Sequence, residues 1–113
     1  MKILHNPRCS KSRQALKALQ DKGADIEIIE YLKSPPSASA LKKILKAMGK
    51  KPEEIIRKNE ALYKEKYKGK TLKEDEWIKI LAENPVLIER PIVFTDKKAV
   101  LGRPPELVLD MLK

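Results

Sequence analysis

The 113-residue chain has a single cysteine, few aromatic residues (4%) and no long apolar run. One cysteine can neither close an internal disulfide nor build a zinc cluster, which excludes a secreted disulfide scaffold and a zinc finger. No resident metal is expected, and any redox chemistry must borrow its second thiol from another molecule. The opening Met1-Lys2-Ile3-Leu4-His5 turns polar after two large apolar residues, and nothing downstream approaches membrane-spanning length. A soluble, cytoplasmic protein with no membrane partner is expected. The scarcity of aromatics, with no basic and aromatic alternation, removes the stacking platforms that single-stranded nucleic-acid binding relies on.

What the chain does have is positive charge, +9 in total. Most of it sits between residues 41 and 70, where ten lysines and Arg57 stand against Glu53, Glu54, Glu60 and Glu65, leaving +7. A basic segment of this kind attracts anions. Without a nucleic-acid motif, a solvated, lysine-rich helical surface is the favoured reading.

The apolar pattern predicts one domain over residues 1–113. Ile3 and Leu4 open a strand that ends at Asn6-Pro7, and Cys9 follows at once. Ala15, Leu16, Ala18 and Leu19 recur at helical spacing from about Ser10 to Lys22, with Gly23 as terminator. Ile26, Ile28 and Ile29 mark a second strand, closed by Ser34-Pro35-Pro36, so the first third reads as a βαβ unit. A helical segment of about 37–84 is then inserted. It contains a helix with the stripe Leu41, Ile44, Leu45, Met48, a shorter helix over Pro52 to Asn59, and a helix started by a Thr71/Glu74 capping box with Trp77, Ile78 and Leu81 inward. Ile92-Val93-Phe94 and Ala99-Val100-Leu101 form a β-hairpin, and Pro104-Pro105 start a last helix carrying Leu107, Val108, Met111 and Leu112. The fold class is α/β, a βαβ…ββα mixed sheet with inserted helices.

The strand-to-helix junction is where chemistry concentrates. A cysteine in the first turn of a helix faces unpaired backbone N–H groups and the positive end of the helix dipole, both of which favour thiolate over thiol. His5, Arg8, Lys11 and Arg13 lie within four residues of Cys9, and Ser12 is placed to donate its hydroxyl across the first turn. A buried inert cysteine is seldom flanked by residues such as Arg8, Ser10 and Lys11 that prefer water. Cys9 is therefore the candidate nucleophile, with Ser12, His5 and Arg13 as candidates for tuning its thiolate. Arg57, Arg90 and Arg103 each stand at an element boundary, where a planar guanidinium could pair with the oxygens of a tetrahedral anion.

Five ordered segments resemble the thioredoxin-fold arsenate reductase (ArsC) family, in particular its shorter members. They are His5-Asn6-Pro7-Arg8-Cys9-Ser10-Lys11-Ser12-Arg13, Tyr31-Leu32-Lys33-Ser34-Pro35-Pro36, Ile56-Arg57-Lys58-Asn59, Glu89-Arg90-Pro91-Ile92-Val93 and Gly102-Arg103-Pro104-Pro105-Glu106. The resemblance implies a thioredoxin-like sheet, Cys9 as nucleophile, Arg57, Arg90 and Arg103 as oxyanion ligands, and Pro91 as the cis-proline beside the thiol. It further implies that the thiolate attacks arsenate, that glutathione joins the arsenic as co-substrate, and that glutaredoxin completes reduction to arsenite. A lone cysteine suits this scheme and excludes forms that relay electrons through internal cysteines. Two alternatives share the fold and the thiol: a non-enzymatic regulator resembling the Spx family, which binds RNA polymerase, and a thiol oxidoreductase acting on glutathione mixed disulfides. Ser12 stands where such regulators often carry a second cysteine, so a disulfide switch is impossible here, and the three arginines favour the enzyme.

Overall fold

Successive apolar residues in the two inner strands point to opposite sides of one sheet, and both sides are covered. The computed structural model describes residues 1–113. β1 (Lys2–His5) leads through α1 (Ser10–Asp21) to β2 (Glu27–Glu30), which lies parallel to β1 with His5 opposite Glu30. β3 (Ile92–Phe94) pairs antiparallel with β1, and β4 (Ala99–Leu101) antiparallel with β3, giving the order β2-β1-β3-β4. This is the βαβ…ββα mixed sheet of a thioredoxin-like fold.

The pairing register explains the layers. Ile3 lies opposite Val93, and together with Ala15, Leu19, Val108 and Met111 they form the core under α1 and the C-terminal helix. Leu4 lies opposite Ile92, and these two join Leu41, Ile44, Trp77 and Leu81 on the other face. Each fully buried aliphatic side chain contributes roughly 1.5–3 kcal/mol, so the two clusters hold the sheet from both sides. β2 is an edge strand and alternates less cleanly than its sequence suggests: Ile28 is 47% exposed and Ile26 lies just before the strand.

The helices between β2 and β3 depart from the expected pattern in three places. α2 (Ala38–Met48) is as predicted: the Ser37 hydroxyl accepts the Ala40 N–H at 3.1 Å, and Gly49 ends it at φ 71°, a backbone region that suits glycine. Pro52 to Asn59, expected as one short helix, is instead a 3₁₀ turn over Pro52–Ile55 followed by extended Ile56, which bridges Ile88 antiparallel. Ile55 and Ile56 are consecutive and both buried, whereas neighbours on a helix diverge by about 100°. α3 (Ala61–Lys66) has no counterpart in the expected pattern, because it is six residues long and only half-buries Leu62 and Tyr63, too few for a stripe.

α4 (Glu74–Glu83) begins later than the Thr71/Glu74 capping box implied. Lys73 precedes its first turn, and the Glu76 carboxylate accepts the Lys73 N–H at 3.1 Å. Glu74, Asp75 and Glu76 then occupy the first turn, where negative charge is favourable. Trp77, Ile78 and Leu81 are buried as expected. The last helix, Pro105–Leu112, is 3₁₀, and its tighter repeat aligns Pro105, Val108 and Met111 at intervals of three on the buried side. Leu107 and Leu112, the other two apolar residues of this helix, are exposed. No helix is long and apolar enough to cross a membrane.

Candidate active site

Cys9 occupies the position just before the first turn of α1, at the C-terminal end of β1. The intervening loop is tied down locally. The Asn6 side chain accepts the Arg8 N–H at 3.0 Å, the Asn6 carbonyl accepts the Cys9 N–H at 3.0 Å, and the Arg13 guanidinium donates to the Pro7 carbonyl at 2.8 Å. The Cys9 carbonyl takes the first helical bond, from the Arg13 N–H at 3.0 Å. The thiol is thereby held partly buried at the start of the helix.

Burial alone would push this thiol up. The Ser12 backbone N–H, the Arg90 guanidinium as donor and as charge, and the Lys11 N–H outweigh it and hold Cys9 below its ordinary value. Two Arg90 donors, Nε and Nη1, are buried and have no hydrogen-bond partner in the protein. Arg90 precedes Pro91 through a cis peptide bond at the head of β3, and Arg103 precedes Pro104 through a second one.

Of the three residues expected to tune the thiolate, Ser12 does so through its backbone N–H and not its hydroxyl, while His5 and Arg13 are engaged elsewhere. The Ser12 hydroxyl does not reach the sulfur. It lies 2.6 Å from His5 Nδ1 and accepts the Asn6 N–H at 3.0 Å, so Ser12 acts on Cys9 through its backbone instead. His5 is buried, and burial lowers its pKa against the opposing pull of Glu30, with Arg13 adding to the lowering. It is a neutral partner for Ser12 that anchors the first turn of α1 onto β1. Arg13 braces the loop at Pro7.

Arg57 and Arg103 sit together, joined by the carboxylate of Glu89. Arg57 Nε lies 3.6 Å from one oxygen of Glu89 and Arg103 Nε lies 3.7 Å from the other. Arg57 Nη1 also pairs with Glu60 at 2.5 Å, and Arg103 Nε donates to the Arg90 carbonyl at 2.9 Å. With Lys58 and Asn59 they line a crevice of about 170 Å³. The pairing follows from the backbone: the Arg57 N–H donates to the Leu87 carbonyl and the Glu89 N–H to the Ile55 carbonyl, both at 2.8 Å, which sets the two chain segments side by side.

Tyr31 feels the charges of both the crevice and the thiol. It follows β2 directly and is 1% exposed. Burial raises the pKa of its phenol and outweighs the lowering by Arg90 and Arg57, with Cys9 and Glu89 adding to the rise, so the hydroxyl stays protonated. Nothing in its local sequence marked it except its place at the head of the second recognisable segment. A larger groove of about 600 Å³ runs between α2 and the β3–β4 hairpin, past Lys43, Ile44, Phe94 and Lys97. Phe94 pairs with Lys2, at the end of β1 remote from Cys9, so this groove is separate from the thiol. No cluster of three or more His, Cys, Asp or Glu side chains is arranged to hold a metal ion.

Comparison with known proteins gives a consistent set of relatives. The model of the ArsC family matches residues 4–111. The uncharacterized protein YfgD of Escherichia coli strain K12 is 44% identical over 99% of this chain and 96% of its own. An arsenate reductase of Neisseria meningitidis serogroup A is 43% identical over 94% and 92% of the two chains. Among solved structures, an arsenate reductase from Vibrio cholerae superposes with a TM-score of 0.90 at 41% identity, covering 97% of each chain.

Proposed function

Because this chain belongs to the ArsC family, we propose that it is an arsenate reductase that works through Cys9 in the cytoplasm, with glutathione and glutaredoxin supplying the electrons. The Cys9 thiolate attacks arsenic(V), a sulfur–arsenic bond forms, and an arsenate oxygen leaves as water. The glutathione thiol displaces a second oxygen in the same way. A glutaredoxin thiolate then takes the glutathione sulfur, forming a mixed disulfide and leaving two electrons on arsenic. Hydrolysis of the Cys9–arsenic(III) bond releases arsenite and restores the thiol.

The observation that carries this reading is the Arg90 guanidinium against Cys9, with two buried donors unpartnered. A thiolate attacking an anion brings like charges together, and preorganised positive charge at that point lowers the barrier. Arg57 and Arg103 would take the oxygens remote from the attacking sulfur, and Tyr31, held protonated, keeps its hydroxyl as a donor. The names of the Neisseria and Vibrio relatives point the same way.

The test is arsenate-dependent oxidation of NADPH in a coupled assay with glutathione, glutaredoxin and glutathione reductase. Turnover is expected from the parent and is lost in Cys9→Ser. No arsenate-dependent turnover in the parent, or undiminished turnover in Cys9→Ser, overturns the proposal.

A further inference from the structure

The crevice that holds Arg57 and Arg103 also contains a carboxylate, an unusual lining for a site meant to take an anion. Glu89 offers one oxygen to each arginine, at 3.6 Å and 3.7 Å. Both distances are too long for hydrogen bonds, so these are ion pairs that leave lone pairs on both oxygens free to accept. Both contacts are to Nε, which leaves the outer nitrogens of Arg103 and one outer nitrogen of Arg57 available, the other being held by Glu60. The lining therefore presents donors and an acceptor together, about 170 Å³ of space bounded by guanidinium, ammonium and amide groups and by one carboxylate.

A tetrahedral oxyanion with no proton meets such an acceptor with repulsion. One that keeps a proton turns its hydroxyl to the carboxylate and its charged oxygens to the arginines. We propose that Glu89 is a specificity-determining residue, selecting tetrahedral oxyanions that retain a hydroxyl over those that have none. The selectivity presupposes the oxyanion chemistry proposed above for Cys9. It narrows the substrate class to hydrogen arsenate and its close analogues, and it predicts rejection of sulfate despite equal charge and similar shape. Hydrogen bonds to charged groups are among the stronger ones, and leaving a charged acceptor unpaired is costly. A preference of roughly tenfold or more is therefore expected.

Two dianions make the test independent of overall charge. In mildly alkaline solution phosphate is mostly a dianion bearing one proton, and sulfate is a dianion bearing none. Binding of each is read by calorimetry and by protection of Cys9 from iodoacetamide, a neutral reagent. The parent should bind phosphate at least roughly tenfold more tightly than sulfate. Glu89→Gln removes a negative charge felt equally by both ligands, but its amide can also donate to sulfate, so the ratio should collapse toward one. Glu60→Gln removes the same charge from Arg57 without touching the crevice lining, and should strengthen both anions while leaving the ratio intact.

Equal affinity for phosphate and sulfate in the parent overturns the proposal even if the variants fail to fold. So does a ratio that Glu89→Gln leaves unchanged, or one that Glu60→Gln collapses to the same degree. If neither anion binds or protects Cys9, the oxyanion chemistry itself falls along with the selectivity.

Discussion

Cys9 and Ser12 stand three residues apart at the start of α1, yet their side chains serve different ends. The thiol is lowered by backbone N–H groups and Arg90, while the Ser12 hydroxyl is spent on His5 and Asn6. The two roles separate experimentally. Alkylation requires the thiolate, so its rate climbs through the thiol pKa, and a lowered pKa moves that climb to lower pH. The parent curve should inflect below the roughly 8.5 of a free cysteine. Arg90→Ala should move the inflection up, because burial then acts against fewer opposing groups. Ser12→Ala should leave the inflection in place while costing about 1–3 kcal/mol of stability, since it strands His5 Nδ1 and the Asn6 N–H without a partner. An inflection that rises as far in Ser12→Ala as in Arg90→Ala would contradict this division. The presence of Cys9 in a reactive setting was legible in the sequence. Which atom of Ser12 faced it was not, because a hydroxyl and an N–H on the same residue can both reach across a turn.

At the scale of elements, the junction of β3, β4 and the C-terminal helix decides where Arg103 sits. Gly102 follows β4, and its N–H donates to the Pro91 carbonyl at 2.8 Å. A Cβ there would lie 2.8 Å from Pro91 Cγ and 2.8 Å from Val108 Cγ1, so three elements meet at a point with no room for a methyl group. Gly102→Ala should therefore destabilise the protein by about 1–3 kcal/mol, as overpacking does. It should also weaken anion binding, because the neighbouring Arg103 must shift with the backbone. Melting curves and phosphate affinity together check this, and an unchanged melting temperature would show that the junction yields freely. The helices were legible only where they bury a stripe. α2 announced itself through Leu41, Ile44, Leu45 and Met48, whereas α3 is six residues long and only half-buries Leu62 and Tyr63, too little for a stripe. The 3₁₀ form of the last helix was hidden because Val108 and Met111, three apart, fit an α-helix as well.

At the scale of the molecule, Arg57, Arg90 and Arg103 come from three segments spread over almost half the chain. Arg57 follows the Ile56–Ile88 bridge, Arg90 precedes β3 and Arg103 follows β4. Their association depends on the sheet and on the inserted helices packing against it. Replacing any one with alanine should lower arsenate turnover by roughly tenfold or more, with lysine restoring only part of it, because a point charge does not reproduce the planar fork. Arg57→Ala should lower the melting temperature only modestly, since its ion pairs with Glu60 and Glu89 are part-buried and Glu89 keeps Arg103 as a partner. Arg103→Ala also loses its bond to the Arg90 carbonyl, so its effect on Arg90 is read separately through the Cys9 alkylation curve. Full turnover in all three alanine variants would remove these residues from the chemistry.

The sequence by itself determined the strand order in time, the helix start that carries Cys9, the absence of an internal redox partner and the arginines worth watching. These follow from local physics: alternation of period two, stripes of period 3.6, and the electrostatics of one helical turn. Only the tertiary structure decided that Arg90 is the arginine that lowers the thiol, that Arg57 and Arg103 share Glu89, and that Tyr31 is buried where their charges act on its phenol. Those contacts join residues tens of positions apart. Spacing along the chain carries no information about them until the sheet register and the Ile56–Ile88 bridge have fixed where each segment lies.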